Sequence, residues 1–301
     1  MRKPDDSILT LQQYADVRSA AERALADAGA IGCFPTPIDN VMAVANVHEV
    51  KEDVLNEGFV AKLRREVSGA LKSALSKVRG LFDARSRLIF IDRSLKVVQQ
   101  TFIRLHETAH AYLPWQRDLY AIVEDCDQTI DPILADQFDR EANVFASEVM
   151  FQLDGFSKEA DQQDFGVLVP VGLSKKYGAS IYSSVRRYVT HNWRACCVIV
   201  LNKPEMIEGD GFRATLRRHC ASPAFTETFG EVQWPDSFTP ADKIGAMVPV
   251  GGRKMSGKRT LSLKDADGSA HECLAEAFTQ THQVFILIHA HKTLHRPTII
   301  I

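Results

Sequence analysis

No apolar run in this sequence approaches the ~20 residues that a membrane-spanning helix needs, so a helical membrane protein is excluded. The first residues, MRKPDDSILTLQQYADVRSAAERALADAG, carry acids throughout and lack an apolar h-region, so no secretory signal is expected there. Cysteine is scarce. There are 6 in 301 residues, none in a C-x-x-C pair, and Cys196 and Cys197 are adjacent. That spacing gives no disulfide or zinc-finger framework and suits reduced thiols in a cytoplasmic protein. A basic excess is also missing: 36 Lys and Arg stand against 38 Asp and Glu, which argues against bulk nucleic-acid binding. Internal repeats and low-complexity tracts are absent too. What remains is ordinary globular material, 45% hydrophobic and 25% charged.

Charge and texture divide the chain. Asp118 to Asp164 carries 13 acids and two bases, whereas Phe165 to Cys220 carries nine bases and three acids. The switch sets a boundary near Asp164. Residues 1–164 read as a mostly helical unit, 165–194 as a helix-turn-helix-like segment around Gly178, and 195–301 as a strand-rich module (ACCVIVL, TLSL, VFILI). The expected fold class is α+β. Within the first unit the periodicity predicts a helix from Tyr14 ending near Gly29 and another over Ile38–Val47. LFDARSRLIFID reads as a hairpin whose RLIFID strand is a candidate edge for an extended peptide. Two strong helices follow, about Leu95–Leu113 and Asp136–Gln152, separated by an acidic loop containing Pro132.

The first of these helices holds His106-Glu107-Thr108-Ala109-His110, the pattern H-E-x-x-H. Residues i and i+4 lie one above the other on a helix, so both imidazoles reach one metal ion. Glu107 is turned about 100° from His106 and can approach a water on that ion. Two histidines and a glutamate on a half-buried helix are costly without partners. A catalytic zinc site needs a third protein ligand and an open position. Glu141, between Phe138 and Phe145 on an inward-facing stripe, is the first candidate; Glu148 and Asp139 are alternatives that point more toward solvent. Ligand type alone leaves Mn2+ and Fe2+ open beside Zn2+. Tyr112 and Tyr120 are nearby in sequence, with no role as oxyanion donor assigned.

GLFDARSRLIFID, TFIRLHETAH and REANVFASEVM together resemble the ImmA/IrrE family of bacterial metallo-endopeptidases, over roughly residues 10 to 155. The resemblance implies His106, His110 and Glu141 as zinc ligands and Glu107 as catalytic base. It also implies a helix-turn-helix-like segment and a GAF-like sensor module behind the peptidase domain. The expected activity is cytoplasmic, zinc-dependent cleavage of a helix-turn-helix repressor that derepresses stress or mobile-element genes, with a small-molecule signal read by the C-terminal module. The alternative is a non-catalytic DNA-binding or sensor regulator with a structural or vestigial metal site. The family pattern is broken where Ala109 replaces a usual Gly, where MFQ at 150–152 replaces L-M-P, and in the long acidic stretch from Leu113 to Phe138. Lys175, Lys176, Arg186 and Arg187 are the candidate phosphate contacts, although direct DNA binding is not expected. His289, His291 and His295 read as strand-end histidines, and Cys196-Cys197 as core.

Overall fold

The computed structural model describes residues 7–51, 80–125, 131–208, 211–280 and 282–291. It divides into two compact units. The first comprises residues up to Phe156 together with Lys175–Ser180; the second comprises Ser157–Ser174 and Ile181 onward. The result is a mixed α+β protein, and no described helix is long and apolar enough to cross a membrane.

In the first unit, α1 (Leu11–Asp27) opens with a capping box. Gln13 N–H donates to Thr10 Oγ1 at 3.3 Å and Thr10 N–H to Gln13 Oε1 at 2.9 Å, which satisfies two otherwise orphaned donors. Gly29, at φ +58, ends it in the left-handed conformation that glycine reaches without a Cβ clash. Next come α2 (Ile38–Val44), β1 (His48–Glu49), β2 (Gly80–Asp83) and β3 (Leu88–Ile91). Strands β2 and β3 form the expected hairpin, with Gly80 opposite Ile91. Strand β3, however, lies in the middle of the sheet, paired with β1 on its other side. The peptide edge expected at RLIFID is therefore already occupied; of the described strands, β1 and β2 are the outer ones.

Helix α3 (Val97–Tyr112) packs through Ile103, Ala111 and Tyr112 on Ile89, Ile91 and Met42 of this small layer. The expected loop after it is instead largely helical. Pro114 opens α4 (Pro114–Asp125) and Pro132 opens α5 (Pro132–Met150). Pro114 follows the end of α3 at Tyr112, and both prolines suit the first turn of the next helix, where the missing N–H has no partner to lose and the fixed φ fits. Asp131 completes the α5 start by accepting from Ile133 N–H at 2.8 Å.

Glu148 is not solvent-facing as expected. Its side chain is 1% exposed, taking a hydrogen bond from the Tyr14 hydroxyl at 2.7 Å and an ion pair from Arg18 at 3.2 Å. It fastens α5 to α1 and is not part of the histidine site. Glu148→Ala should cost about 1–3 kcal/mol by removing the buried acceptor that Tyr14 and Arg18 share while metal content stays unchanged, as read by thermal unfolding and metal analysis. Gln152 clamps the segment after α1. It accepts from Gly32 N–H at 2.9 Å and donates to Ala30 O at 3.0 Å and Thr36 Oγ1 at 2.9 Å. Tyr177, from the returning stretch 175–180, is fully buried against Phe34, Phe151 and Phe156.

The second unit contains α8 (Ile181–Thr190), which follows α6 (Gly155–Ala160) and α7 (Leu168–Lys176) in the chain. Its antiparallel sheet is built on β4 (Cys196–Asn202), β5 (Glu205–Ile207), β6 (Gly211–Ala221), β7 (Ser237–Phe238), β8 (Arg259–Lys264), β9 (Ala270–Gln280) and β10 (Gln283–Ala290). The strand order is β5-β6-β4-β10-β9-β8, with β7 added to β6. Helix α9 (Pro223–Phe229) supplies Phe225 and Phe229 to a core completed by Trp234, Phe238, Ile199, Ile286 and Leu261. Strand β4 is buried on both faces, so Cys196 and Cys197 are both interior, and burial pushes the Cys196 thiol up to about 12. They are core side chains. His289 is a packing residue, its ring 4.8 Å from that of Phe165. His295 lies outside the described residues.

Candidate metal centre

The H-E-x-x-H residues sit mid-helix on α3, facing α5. His106 Nε2 and His110 Nε2 are 3.3 Å apart, and each is 3.8 Å from Asp139 Oδ1. Among the described residues these three form the only group of three or more His, Cys, Asp or Glu side chains converging closely enough to hold an ion. A triangle with these sides has its centre about 2.1 Å from each corner, the length of a zinc bond to imidazole nitrogen or carboxylate oxygen. The donor set fits a divalent metal.

The ring orientations fit as well. His106 Nδ1 is 3.1 Å from Asn143 Oδ1, and His110 Nδ1 is 2.7 Å from Gln116 Oε1. An amide oxygen only accepts, so each Nδ1 carries the proton and each Nε2 presents its lone pair inward. Gln116 cannot turn around, because its Nε2 donates to Phe138 O at 3.2 Å and to Glu141 Oε2 at 2.7 Å.

Glu141, the sequence's choice for third ligand, lies outside the converging set. It is buried, as its stripe implied, but its charge is met by neutral donors: Trp115 Nε1 at 2.6 Å, Gln116 Nε2 at 2.7 Å and Gln137 Nε2 at 2.9 Å. It therefore acts on His110 through Gln116. The carboxylate that meets the histidines is Asp139, whose side chain is 65% exposed, so the site opens to solvent on that side.

Electrostatics separates the groups. Burial and the neighbouring His106 charge lower His110 to about 4, holding its imidazole neutral as a ligand must be. For His106, burial pulls down but Asp139, Glu107 and Asn143 outweigh it, for a net upward shift. Asp139 is lowered, because its contacts with His106 and His110 outweigh its own burial. Burial raises Glu107 to about 7, against the opposing pull of His106. A carboxyl poised there can both take and give a proton near neutral pH.

Two residues that the sequence reading left without a role stand close by. The Tyr120 ring packs edge-on against His110 at 5.5 Å, and burial with the charges of Asp139 and Glu107 raises its phenol. Tyr112 is turned away, its hydroxyl 3.4 Å from Asp27. Gly80 is the other. A Cβ there would stand 2.4 Å from Ile103 Cγ2 and 2.6 Å from Glu107 Oε1, so β2 rests directly on the Glu107 carboxylate. Gly80→Ala should displace that carboxylate and reduce turnover about 10- to 100-fold with metal content retained, which parallel turnover and metal assays would show. A glycine opening a strand before an H-E-x-x-H helix was the available signal.

Comparison with known proteins agrees with this geometry. No curated protein matches the sequence. The structure of a Mycobacterium tuberculosis transcriptional regulator is similar over 92% of this chain and 76% of its own, with a TM-score of 0.51 and 15% identity, which shows a shared fold. Residues 70–187 match the IrrE N-terminal-like domain, a peptidase family, which includes α3, α5 and the whole metal centre. Residues 70–187 of this chain are thus similar to the IrrE N-terminal-like domain of a peptidase family, and that stretch holds the candidate metal centre.

Proposed function

We propose that this protein is a zinc-dependent endopeptidase that cleaves a specific protein substrate, a helix-turn-helix repressor, and so relieves repression of stress or mobile-element genes. The observation that carries the reading is the placement of Glu107 beside a three-donor triangle that is open on the Asp139 side. His106, His110 and Asp139 would hold the ion. When bound, zinc supplies an acidified water and polarises a carbonyl. Glu107 would be the group that accepts a proton at the site and returns it to the leaving amine, so one residue would serve as base and then as acid. Asn143 and Gln116 keep both imidazoles in the liganding tautomer. The buried site around Glu107 limits competing water and strengthens its interactions with the reacting atoms.

A regulator with a structural metal site is the second reading, favoured by the likeness to a transcriptional regulator. It gives Glu107 no task. The test is co-expression with helix-turn-helix repressors encoded beside this gene, with cleavage read by mass spectrometry against Glu107→Gln. Cleavage abolished by that substitution supports the peptidase; metal-loaded protein that cleaves none of them supports the regulator. The strand-rich module is proposed to read a small-molecule signal. A minimal peptidase has to retain residues 175–180, because Tyr177 is buried in the first unit.

A further inference from the structure

Tyr112 lies two residues past His110 and so faces away from the metal centre, into a cavity of about 390 Å3. Arg23 of α1, Asn46 after α2, Arg87 of the β2–β3 turn, and Pro114 and Arg117 of α4 line the same cavity. Three guanidinium groups from three elements therefore share one concavity. Arg23 donates to Ser19 Oγ at 2.9 Å and forms no ion pair among the described residues. Arg87 donates to the carbonyl oxygens of Asn46, at 2.9 Å, and Ala45. Arg117 pairs at 3.0 Å with Asp118, whose side chain is 66% exposed. The Tyr112 hydroxyl donates to Asp27 Oδ2 at 3.4 Å. Burial, and then the nearby charge of Arg117, depress Arg87.

Arg23 and Arg117 are exposed and Arg87 is half-buried, so water screens part of their mutual repulsion and an anion among them would relieve the rest. The arrangement is also preorganised: backbone carbonyls fix Arg87 at a left-handed turn residue, φ +55. We propose that this cavity is a binding site for a small phosphorylated ligand carrying at least two negative charges. Guanidinium forks approaching from several directions match the tetrahedral oxygens of phosphate, whereas a planar carboxylate is served by a single fork. The volume lies in the small-ligand range of about 300–1,000 Å3, and the concave shape and the chain's net charge of −2 disfavour a nucleic-acid backbone. The proposal does not rest on peptidase activity.

The test is a calorimetric titration of the full-length, chelator-treated protein with inorganic pyrophosphate; removing metal ensures that the histidine site cannot capture the anion. Saturable one-to-one binding is expected. Arg23→Gln and Arg117→Gln should each weaken it about tenfold or more, and Arg23→Lys, which keeps the charge, should weaken it less. Absence of saturable binding at matched ionic strength would overturn the proposal. So would affinities unchanged in both glutamine variants, or tighter binding of citrate or duplex DNA than of pyrophosphate.

Discussion

Glu107→Gln should leave the metal centre loaded and reduce turnover by about 10²–10⁴-fold, the usual range for loss of a general base. The amide keeps the shape of the side chain and its packing under Gly80 but cannot accept a proton. Turnover and metal per chain should therefore separate completely; near-normal cleavage by the variant would remove Glu107 from the mechanism. The same substitution carries a stability signature in metal-free protein. Burial raises the folded-state Glu107 to about 7 from the ordinary 4.5. The folded state therefore holds this proton more tightly than the unfolded chain does. Below pH 4.5 both states are protonated and burial carries no charge penalty; between 4.5 and 7 the penalty grows, and above 7 it is complete. The metal-free Gln variant should thus gain on wild type across that window, by up to about 3 kcal/mol. Denaturant titrations of both proteins at pH 4 and pH 8 would measure this difference.

Asp139→Ala is expected to abolish stoichiometric metal binding, because it removes one corner of the three-donor triangle. His106→Ala should do the same. Glu141→Ala should behave differently: it removes the anchor of Gln116 and so loosens His110 without removing a ligand. Its metal affinity should fall about 10- to 100-fold, the range found for supports one step removed from the ion. Competition with a chelating dye would rank the three. If Glu141→Ala lost all metal while Asp139→Ala kept it, the assignment of the third ligand would be reversed.

The sequence alone determined what depends on neighbours along one chain. The spacing of His106 and His110 on an amphipathic helix, the base between them, the β2–β3 hairpin and the strand-rich texture after residue 195 follow from local periodicity and short-range chemistry. The choice between Asp139 and Glu141 does not. The two stand two residues apart on α5, on different sides of it, and which side meets α3 depends on how the helices are rotated against each other. A buried carboxylate in an apolar stripe implied a cation, but Trp115, Gln116 and Gln137 satisfy Glu141 with neutral N–H groups. Two of those donors lie on α4, a helix in the stretch expected to be loop. Packing likewise set Gly80 on Glu107 and brought Arg23, Arg87 and Arg117 to one cavity from positions dozens of residues apart. No periodicity encodes such meetings, because they arise only when separate elements bury their apolar faces together.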